Sequence, residues 1–262
     1  MIGELIGRGN TAEVFDRGNN TVVKLFHTGY PQDSVRKEFD NSQLLKDRDL
    51  PIAKSHGLIT CDDRHGIIYD RVDGESMLDI LMREEDIEKY ATILASLHKR
   101  ILSHNIQGAE SLKNILKRNI EGTDILNLQC KEKLQAVLAA LPEGDSLCHG
   151  DFHFGNVMVS HGKYYIIDFM NICHGHQYGD IARTVYLTEM TPVPPELGDK
   201  ERSLSMKRQA ADIYLKEIGV KRESLEDWLM VTGAGRLSEL NRDQKEEINT
   251  VLNYLTACGL QV

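Results

Sequence analysis

Hydrophobic and polar residues alternate along the first part of the chain with the two-residue period of β-strands. The alternation at Ile2–Ile6 and Ala12–Asp16 predicts two strands on either side of a glycine-containing loop. Gly18-Asn19-Asn20 is typical of a tight hairpin turn, and the β-branched run Thr21–Phe26 after it predicts a third strand. A strand, a loop and a β-hairpin are therefore expected here.

One helix and two more strands are predicted next. Asp33-Ser34 can cap a helix that runs to about Asp49. Two strands are then expected at about Ala53–Thr60 and Gly66–Val72, joined by a polar turn. These elements complete a small, β-rich part of the chain.

The period of the hydrophobic positions changes to 3.6 residues after Gly74. Ile87–His104 predicts an amphipathic helix, and residues 110–121 and 124–141 predict two more. A compact β-rich island is expected at Leu147–Phe169.

The remainder of the chain is predicted to be helical from Asp180 onward, with a break at Thr191–Pro195. The fold class predicted from all these elements is α+β. We expect a small antiparallel-sheet domain at residues 1–73 and a larger, mainly helical domain at residues 74–262.

Composition excludes several classes of protein. Charged residues make up 27% of the chain and hydrophobic residues 41%, which is typical of a soluble globular protein. The five cysteines are scattered and form no C-x-x-C pair, which argues against a disulfide scaffold or a zinc ribbon. No charged-then-apolar leader follows Met1. A cytoplasmic location is therefore expected.

The net charge of −9 argues against nucleic acid or an anionic membrane as a partner. Residues 1–60 are electrically balanced, so the excess of acidic residues lies in residues 61–262. Such a surface would suit a cationic partner, and Glu189, Glu239 and Asp243 are the acidic candidates for binding one.

The strongest chemical signal is the segment His149-Gly150-Asp151-Phe152-His153-Phe154-Gly155-Asn156, which precedes an apolar strand. A second strand then leads to Asp168. In phosphoryl transfer one carboxylate accepts the proton of the acceptor hydroxyl, while an amide oxygen and a second carboxylate hold Mg²⁺. Asp151, Asn156 and Asp168 have the residue types and the order that this chemistry needs.

This pattern resembles the aminoglycoside phosphotransferase and choline-kinase-like family, whose members are related to protein kinases. Other stretches resemble the family in the right order along nearly the whole chain: the glycine loop Gly7–Val14, the strand lysine Lys24, the helix glutamate Glu38, the hinge segment Ile67–Gly74, Leu94–His98, and Gly179-Asp180-Ile181-Ala182. The resemblance implies a bilobal protein-kinase-like fold.

The resemblance also implies a role for each matched residue. Asp151 would be the catalytic base, and Asn156 and Asp168 would ligate Mg²⁺. His149 and Asp180 would support the catalytic loop. ATP would be bound by Lys24, Glu38, Gly7, Gly9, Asn10 and the backbone near Asp70 and Val72, with GTP as an alternative donor.

Two departures separate the chain from protein kinases. Asp168-Phe169-Met170 stands where protein kinases have D-F-G, and His153 replaces the lysine two residues after the catalytic aspartate. The resemblance therefore favours a small hydroxylated acceptor, such as an aminoglycoside, an amino sugar or an amino alcohol. An atypical protein kinase and a non-catalytic nucleotide-binding module stay open as alternatives, as does a monomer or a homodimer.

A cluster of histidines and cysteines gives two weaker hypotheses. His149, His153, His161, His174 and His176 lie near Cys148 and Cys173 in the sequence. The spacing does not match a zinc motif, so metal binding by these side chains is disfavoured. A Cys–His nucleophilic pair is disfavoured as well.

Overall fold

The computed structural model describes residues 3–193 and 199–262. It divides into two compact units, one formed by Met1–Arg83 with Phe154–Ile172 and the other by Glu84–His153 with Cys173–Val262. Residues 74–83 and 154–172 thus pack with the N-terminal sheet, although the expected domain boundary lies at Asp73. The division into domains at residues 1–73 and 74–262 stays a prediction.

The first unit is built on a five-stranded antiparallel sheet in the order β1-β2-β3-β5-β4. The strands are β1 (Leu5–Arg8), β2 (Ala12–Gly18), β3 (Thr21–Phe26), β4 (Ser55–Cys61) and β5 (Arg64–Asp70). The predicted hairpin turn is confirmed, because Asn19 and Asn20 have φ angles of 53° and 56°, which asparagine tolerates better than most residues. Of the first predicted strand, Ile2 lies outside the described residues.

Helix α1 (Gln32–Gln43) packs on this sheet. Val35 and Phe26 are buried with Ile67 in one hydrophobic cluster. The predicted cap at Asp33-Ser34 and the predicted end at Asp49 are wrong. Pro31 is the N-cap, and the chain tightens into i→i−3 turns after Gln43, as in the hydrogen bond from Leu45 N–H to the Ser42 carbonyl.

A second sheet of this unit has the order β10-β9-β6, formed by β6 (Glu75–Ser76), β9 (Val157–Ser160) and β10 (Lys163–Ile166). Helix α2 (Met77–Glu84) follows β6. A short 3₁₀ turn at Phe154–Asn156 precedes β9. The β9–β10 pair is an antiparallel hairpin in which Val157 faces Ile166.

The second unit is mainly helical. Its helices are α3 (Ile87–Leu102), α4 (Leu112–Gly122), α5 (Leu128–Ala140), α6 (Gln177–Glu189), α7 (Lys200–Ile218), α8 (Glu226–Arg236) and α9 (Lys245–Ala257). Tyr214, Trp228 and Leu237 are among its buried residues, so the large apolar side chains of the C-terminal region form core, as the sequence predicts. Pro194 and Pro195 of the predicted break lie outside the described residues.

Three short strands form a small sheet in this unit, in the order β7-β11-β8: β7 (Glu110–Ser111), β8 (Ser146–Cys148) and β11 (Cys173–Gly175). Strands form within the β-rich island predicted at Leu147–Phe169, but its predicted compactness is wrong, because β8 pairs in this sheet while β9 and β10 pair in the other unit. Gly150 separates the two groups of strands and has a φ of 76°, which interrupts any continuous extended chain.

Candidate active site residues

In the first unit, three charged residues from separate segments meet. The Nζ atom of Lys24 on β3 lies 2.8 Å and 3.0 Å from the two carboxylate oxygens of Glu38 on α1, and 3.2 Å from Oδ1 of Asp168. Glu38 is fully buried and also accepts a 2.8 Å hydrogen bond from the Tyr69 hydroxyl. The structure thus brings together three residues that the sequence analysis assigns to nucleotide and metal binding.

The charge on Lys24 is maintained by its partners. Burial alone would lower the pKa of Lys24, but the carboxylates of Glu38 and Asp168 raise that pKa above its ordinary value. The ammonium group is therefore protonated at any physiological pH. A protonated, oriented lysine is suited to binding phosphate oxygens as a point charge.

Asn156 and Asp168 lie at the same end of the β9–β10 hairpin. Asn156 immediately precedes β9, Asp168 follows β10 by two residues, and the Ile167 N–H donates a 3.1 Å hydrogen bond to the Asn156 carbonyl. The segment after Asp168 is held by Asn41, whose side-chain amide donates to the Phe169 and Met170 carbonyls at 3.2 Å and 2.9 Å. The Asn156 amide and the Asp168 carboxylate thus belong to segments that these hydrogen bonds hold in place.

The glycine loop is the turn between β1 and β2. The Gly9 N–H donates a 2.8 Å hydrogen bond to the Ala12 carbonyl, and both Gly9 and Asn10 are exposed. A Cβ atom at Gly7 would meet nothing closer than 3.5 Å, and one at Gly9 nothing closer than 3.4 Å. The fold therefore does not itself require glycine at these two positions.

The hinge segment differs partly from the expectation of free backbone groups near Asp70 and Val72. The Asp70 N–H donates to the Lys54 carbonyl at 2.9 Å, and the Asp70 carboxylate bonds to the Lys54 N–H and to His56. The Asp70 N–H is therefore unavailable to a purine edge, because it continues the β4–β5 pairing. Within the described residues, no hydrogen bond engages the backbone N–H or carbonyl of Val72.

In the second unit, Asp151 stands beside an arginine that the sequence analysis did not select. The Nη2 atom of Arg183 on α6 lies 3.8 Å from Oδ1 of Asp151, and Nε2 of His153 lies 3.9 Å from Oδ2. The Asp151 side chain is 26% exposed. The Thr184 hydroxyl donates a 2.8 Å hydrogen bond to the Phe152 carbonyl, which ties the loop after Asp151 to α6.

Asp180 supports the backbone that leads into Asp151. Its carboxylate accepts hydrogen bonds from the backbone N–H groups of His149 and Gly150, at 2.6 Å and 2.8 Å. His98 lies 3.0 Å from the same carboxylate and 2.6 Å from the Tyr214 hydroxyl. Asp180 therefore contacts the backbone of the predicted catalytic loop, whereas the role of the His149 side chain stays a prediction.

Burial would raise the pKa of Asp180, but the hydrogen bond and charge of His98, the charge of His149 and the Gly150 N–H together lower it below its ordinary value. A lowered pKa in the folded state means that ionised Asp180 stabilises the fold above the unfolded pKa of about 4, and that this contribution is lost as the pH falls.

We therefore expect Asp180→Asn to lower the free energy of unfolding by about 2–4 kcal/mol at pH 7, since it removes a buried charge that three donors face. The difference from the wild type should shrink as the pH approaches 3. Urea unfolding at pH 7, 5 and 3 measures it, with exposed Asp145→Asn as the control. A constant difference at all three pH values would contradict an ionised Asp180.

Arg183 belongs to a network of ion pairs within the second unit. Glu239 accepts hydrogen bonds from Arg183 at 2.7 Å and Arg236 at 2.8 Å, and Arg236 also donates to Glu247 at 2.9 Å. Burial would raise the pKa of Glu239, but the two arginines lower it below its ordinary value. Glu239 is therefore an ionised partner of arginines.

The contacts of four residues were not predicted from the sequence. They are Asn41, Arg183, Tyr214 and His98, the last of which bonds to Asp180. Asn41, His98 and Tyr214 act through contacts with residues far away in the chain, so no spacing rule could find them. Arg183 had a local signal, because it lies three residues after Asp180 on the same helix.

No cluster of three or more His, Cys, Asp or Glu side chains arranged to hold a metal ion occurs in residues 3–193 and 199–262. Across the same ranges, no helix combines the length and apolar character needed to cross a membrane. Cys148 and Cys173 are both buried.

Comparison with known proteins identifies the family. The family model described as the phosphotransferase enzyme family (APH) matches residues 3–213. The chain belongs to this family. The phosphotransferase has no significant match among curated protein sequences.

Solved structures of known proteins share the fold. The amicoumacin kinase hAmiN in complex with AMP-PNP, Ca²⁺ and Ami is 16% identical with a TM-score of 0.62, covering 97% of this chain and 86% of that chain. A thermostable mutant of aminoglycoside phosphotransferase APH(4)-Ia, in a ternary complex with AMP-PNP and hygromycin B, is 13% identical with a TM-score of 0.69, covering 98% and 91%.

A choline/ethanolamine kinase family protein from Mesorhizobium loti is 10% identical with a TM-score of 0.59, covering 98% of this chain and 87% of that chain. At these identities the likeness establishes the fold alone. The α+β, protein-kinase-like fold expected from the sequence is confirmed.

Proposed function

We propose that this phosphotransferase moves the γ-phosphoryl group of Mg-ATP to a hydroxyl group of a small molecule. The observation that carries the proposal is the ion-paired cluster of Lys24, Glu38 and Asp168, in which three segments converge on one protonated ammonium group. Such a cluster stabilises a polyphosphate and the metal bound to it. ATP analogues in the similar hAmiN and APH(4)-Ia structures agree with an ATP-like donor.

Lys24 binds the α- and β-phosphates in this proposal, and Glu38 keeps the ammonium group in place. The glycine loop at Gly7, Gly9 and Asn10 approaches the phosphates through its backbone, since neither glycine carries a side chain that would hold the phosphates away. The free backbone groups at Val72 read the purine edge.

Asp151 accepts the proton of the acceptor hydroxyl, or orients that hydroxyl for attack. Hydrogen bonds hold the loop that carries Asp151. Asp180 accepts from two of its backbone N–H groups, and the Thr184 hydroxyl donates to the Phe152 carbonyl. Catalysis then depends mainly on positioning, which can account for several kcal/mol of the barrier, about 7–11 in well-oriented reactions.

The residues present fit a divalent cation. Asp168 and Asn156 supply a carboxylate and an amide oxygen, the hard ligands that Mg²⁺ prefers, and the phosphates and water complete its coordination in sites of this kind. When bound, Mg²⁺ neutralises charge on the phosphate oxygens. Asp168 is also the residue that Lys24 contacts, so metal and lysine act on the same phosphates.

Transfer of labelled phosphate from [γ-³²P]ATP to hydroxyl compounds tests the proposal directly. Aminoglycosides, amino sugars, amino alcohols, sugars and hydroxy acids would each be supplied with Mg-ATP, with the Asp151→Asn protein as the blank. Label in an acceptor that requires both Mg²⁺ and Asp151 supports the proposal. Label in no small molecule, with ATP bound normally, would contradict it.

The glycine loop gives a further prediction. Gly7→Ala should leave the melting temperature within about 2 °C of the wild type, because the added Cβ would lie 3.5 Å from Val14 in ordinary contact. It should raise the KM for ATP about 3- to 10-fold, since the methyl group keeps the backbone from the phosphates. The control is Gly57→Ala on β4, where the added Cβ would meet nothing within 4 Å. An unchanged KM in Gly7→Ala would argue against a phosphate-binding loop.

A further inference from the structure

The Arg183 side chain has donor groups that the protein does not use. Among residues 3–193 and 199–262 its one hydrogen bond is the contact of Nη2 with Glu239, and its Nε atom is buried without a hydrogen-bond partner. The distance of 3.8 Å between Arg183 Nη2 and Asp151 Oδ1 is too long for a hydrogen bond. A guanidinium group with spare N–H groups therefore lies beside the proposed base.

Three acidic side chains were predicted to bind a cationic acceptor, and each is either paired with arginines or exposed at the surface. Glu239 is bound by Arg183 and Arg236, while Glu189 is bound by Arg222 at 2.8 Å. Asp243 is exposed at the surface.

Glu247, the next carboxylate of the network, accepts hydrogen bonds from Arg236 and Tyr186. The two arginines and two glutamates of this network balance in charge. They leave no surplus negative charge to neutralise the ammonium groups of a polycationic acceptor.

We propose that the acceptor is a hydroxy acid, with a carboxylate one or two carbons from its reactive hydroxyl, and that Arg183 binds this carboxylate. The inference rests on the proposed function and specifies its acceptor. A hydroxyl bonded to Asp151 places such a carboxylate about 3–5 Å from the aspartate, which is the range at which Arg183 stands. Glu239 holds the guanidinium in position for it.

Arg183 would repel an ammonium group in the same place. A planar carboxylate, in contrast, can accept two parallel hydrogen bonds from the N–H groups of the Arg183 guanidinium. In the transfer, the hydroxyl oxygen forms a bond to the γ-phosphorus as the bond from that phosphorus to the β,γ-bridging oxygen breaks. The hydroxyl proton passes to Asp151. The products are a phosphorylated hydroxy acid and ADP.

The first test compares acceptors that share a primary hydroxyl but differ in charge: glycerate, glycerol, serine, serinamide, ethanolamine and kanamycin. We expect kcat/KM for glycerate or serine to exceed that of the uncharged or cationic compounds at least about 100-fold. Equal or better phosphorylation of glycerol, serinamide, ethanolamine or kanamycin would overturn the inference and leave the proposed function intact. Phosphorylation of none of the six, in an enzyme that binds Mg-ATP, would count against both.

The second test removes the guanidinium group. In Arg183→Met the KM for the carboxylate acceptor should rise about 100-fold with a smaller change in kcat, and the preference for glycerate over glycerol should disappear. Arg183→Lys should restore part of the preference, because it returns the charge without the fork. The KM for ATP should not change.

Arg222→Met is the matched control, since Arg222 also pairs with two carboxylates of this unit, those of Glu189 and Asp212. Glu189 lies on α6 six residues after Arg183. Its preference for glycerate should equal that of the wild type. If the single variant fails to fold, the double variant Arg183→Met/Glu239→Gln removes the Glu239 charge together with the arginine that pairs with it. A preference for the carboxylate that persists in the folded double variant would overturn the role of Arg183.

Discussion

The Asp151→Asn variant is expected to lose at least about 10³-fold in kcat while its dissociation constant for Mg-ATP changes by less than about 3-fold. Asparagine has nearly the shape of aspartate but cannot accept the hydroxyl proton, and a positioned general base contributes about 10²–10⁴-fold. The loop should remain in place, because Asp180 and Thr184 bind its backbone groups.

The measurement is acceptor-dependent ADP release, with nucleotide binding followed by isothermal titration. Asp145→Asn is the control, because Asp145 is an exposed aspartate just before β8. Its hydrogen bond within the described residues is made by its backbone carbonyl, with Ile106. Turnover in Asp151→Asn within about 10-fold of the wild type would show that another group accepts the proton.

The Asp168→Asn variant is expected to weaken Mg²⁺-dependent ATP binding at least about 30-fold and to shift the Mg²⁺ requirement to higher concentration. The change removes one negative charge from the proposed metal ligand. It also removes one of the two carboxylates that contact Lys24, while Glu38 keeps its own two contacts with Lys24.

The backbone offers a matched control for this substitution. Asp168 and Asp62 are both non-glycine residues in the left-handed region, with φ angles of 66° and 53°. Asparagine adopts this conformation as readily as aspartate, so neither variant should be strained. Asp62→Asn, in the turn between β4 and β5, should bind Mg-ATP like the wild type. Equal Mg²⁺ dependence in the two variants would contradict a metal-binding role for Asp168.

Local signals in the sequence predicted most of the elements. The hairpin turn at Asn19-Asn20 and the helix at Ile87–His104 follow from short-range backbone preference and from amphipathic period, both of which act over a few residues. The helix after Pro31 was placed correctly but given a wrong cap and a wrong end. Its final turns depend on contacts with β4, such as the hydrogen bond from the Gln43 side chain to the Ser55 hydroxyl.

The β island shows a different kind of error. Leu147–Phe169 has the composition of strands, and strands do form there. β8 pairs with β11 in one unit, whereas β9 pairs with β6 and β10 in the other. Hydrogen bonds to distant segments therefore decide the pairing. Composition predicts an extended chain but not its neighbour.

The sequence by itself determined the family, the α+β class and the order of the motifs around Asp151, Asn156 and Asp168, because these depend on residue type and spacing along the chain. Only the tertiary structure took the Asp70 N–H into the sheet and set Arg183 beside Asp151, with Glu239 bonded to Arg183. Electrostatic and hydrogen-bonding contacts act over a few ångströms of space. Residues many positions apart can therefore decide the chemistry of a site that no local pattern records.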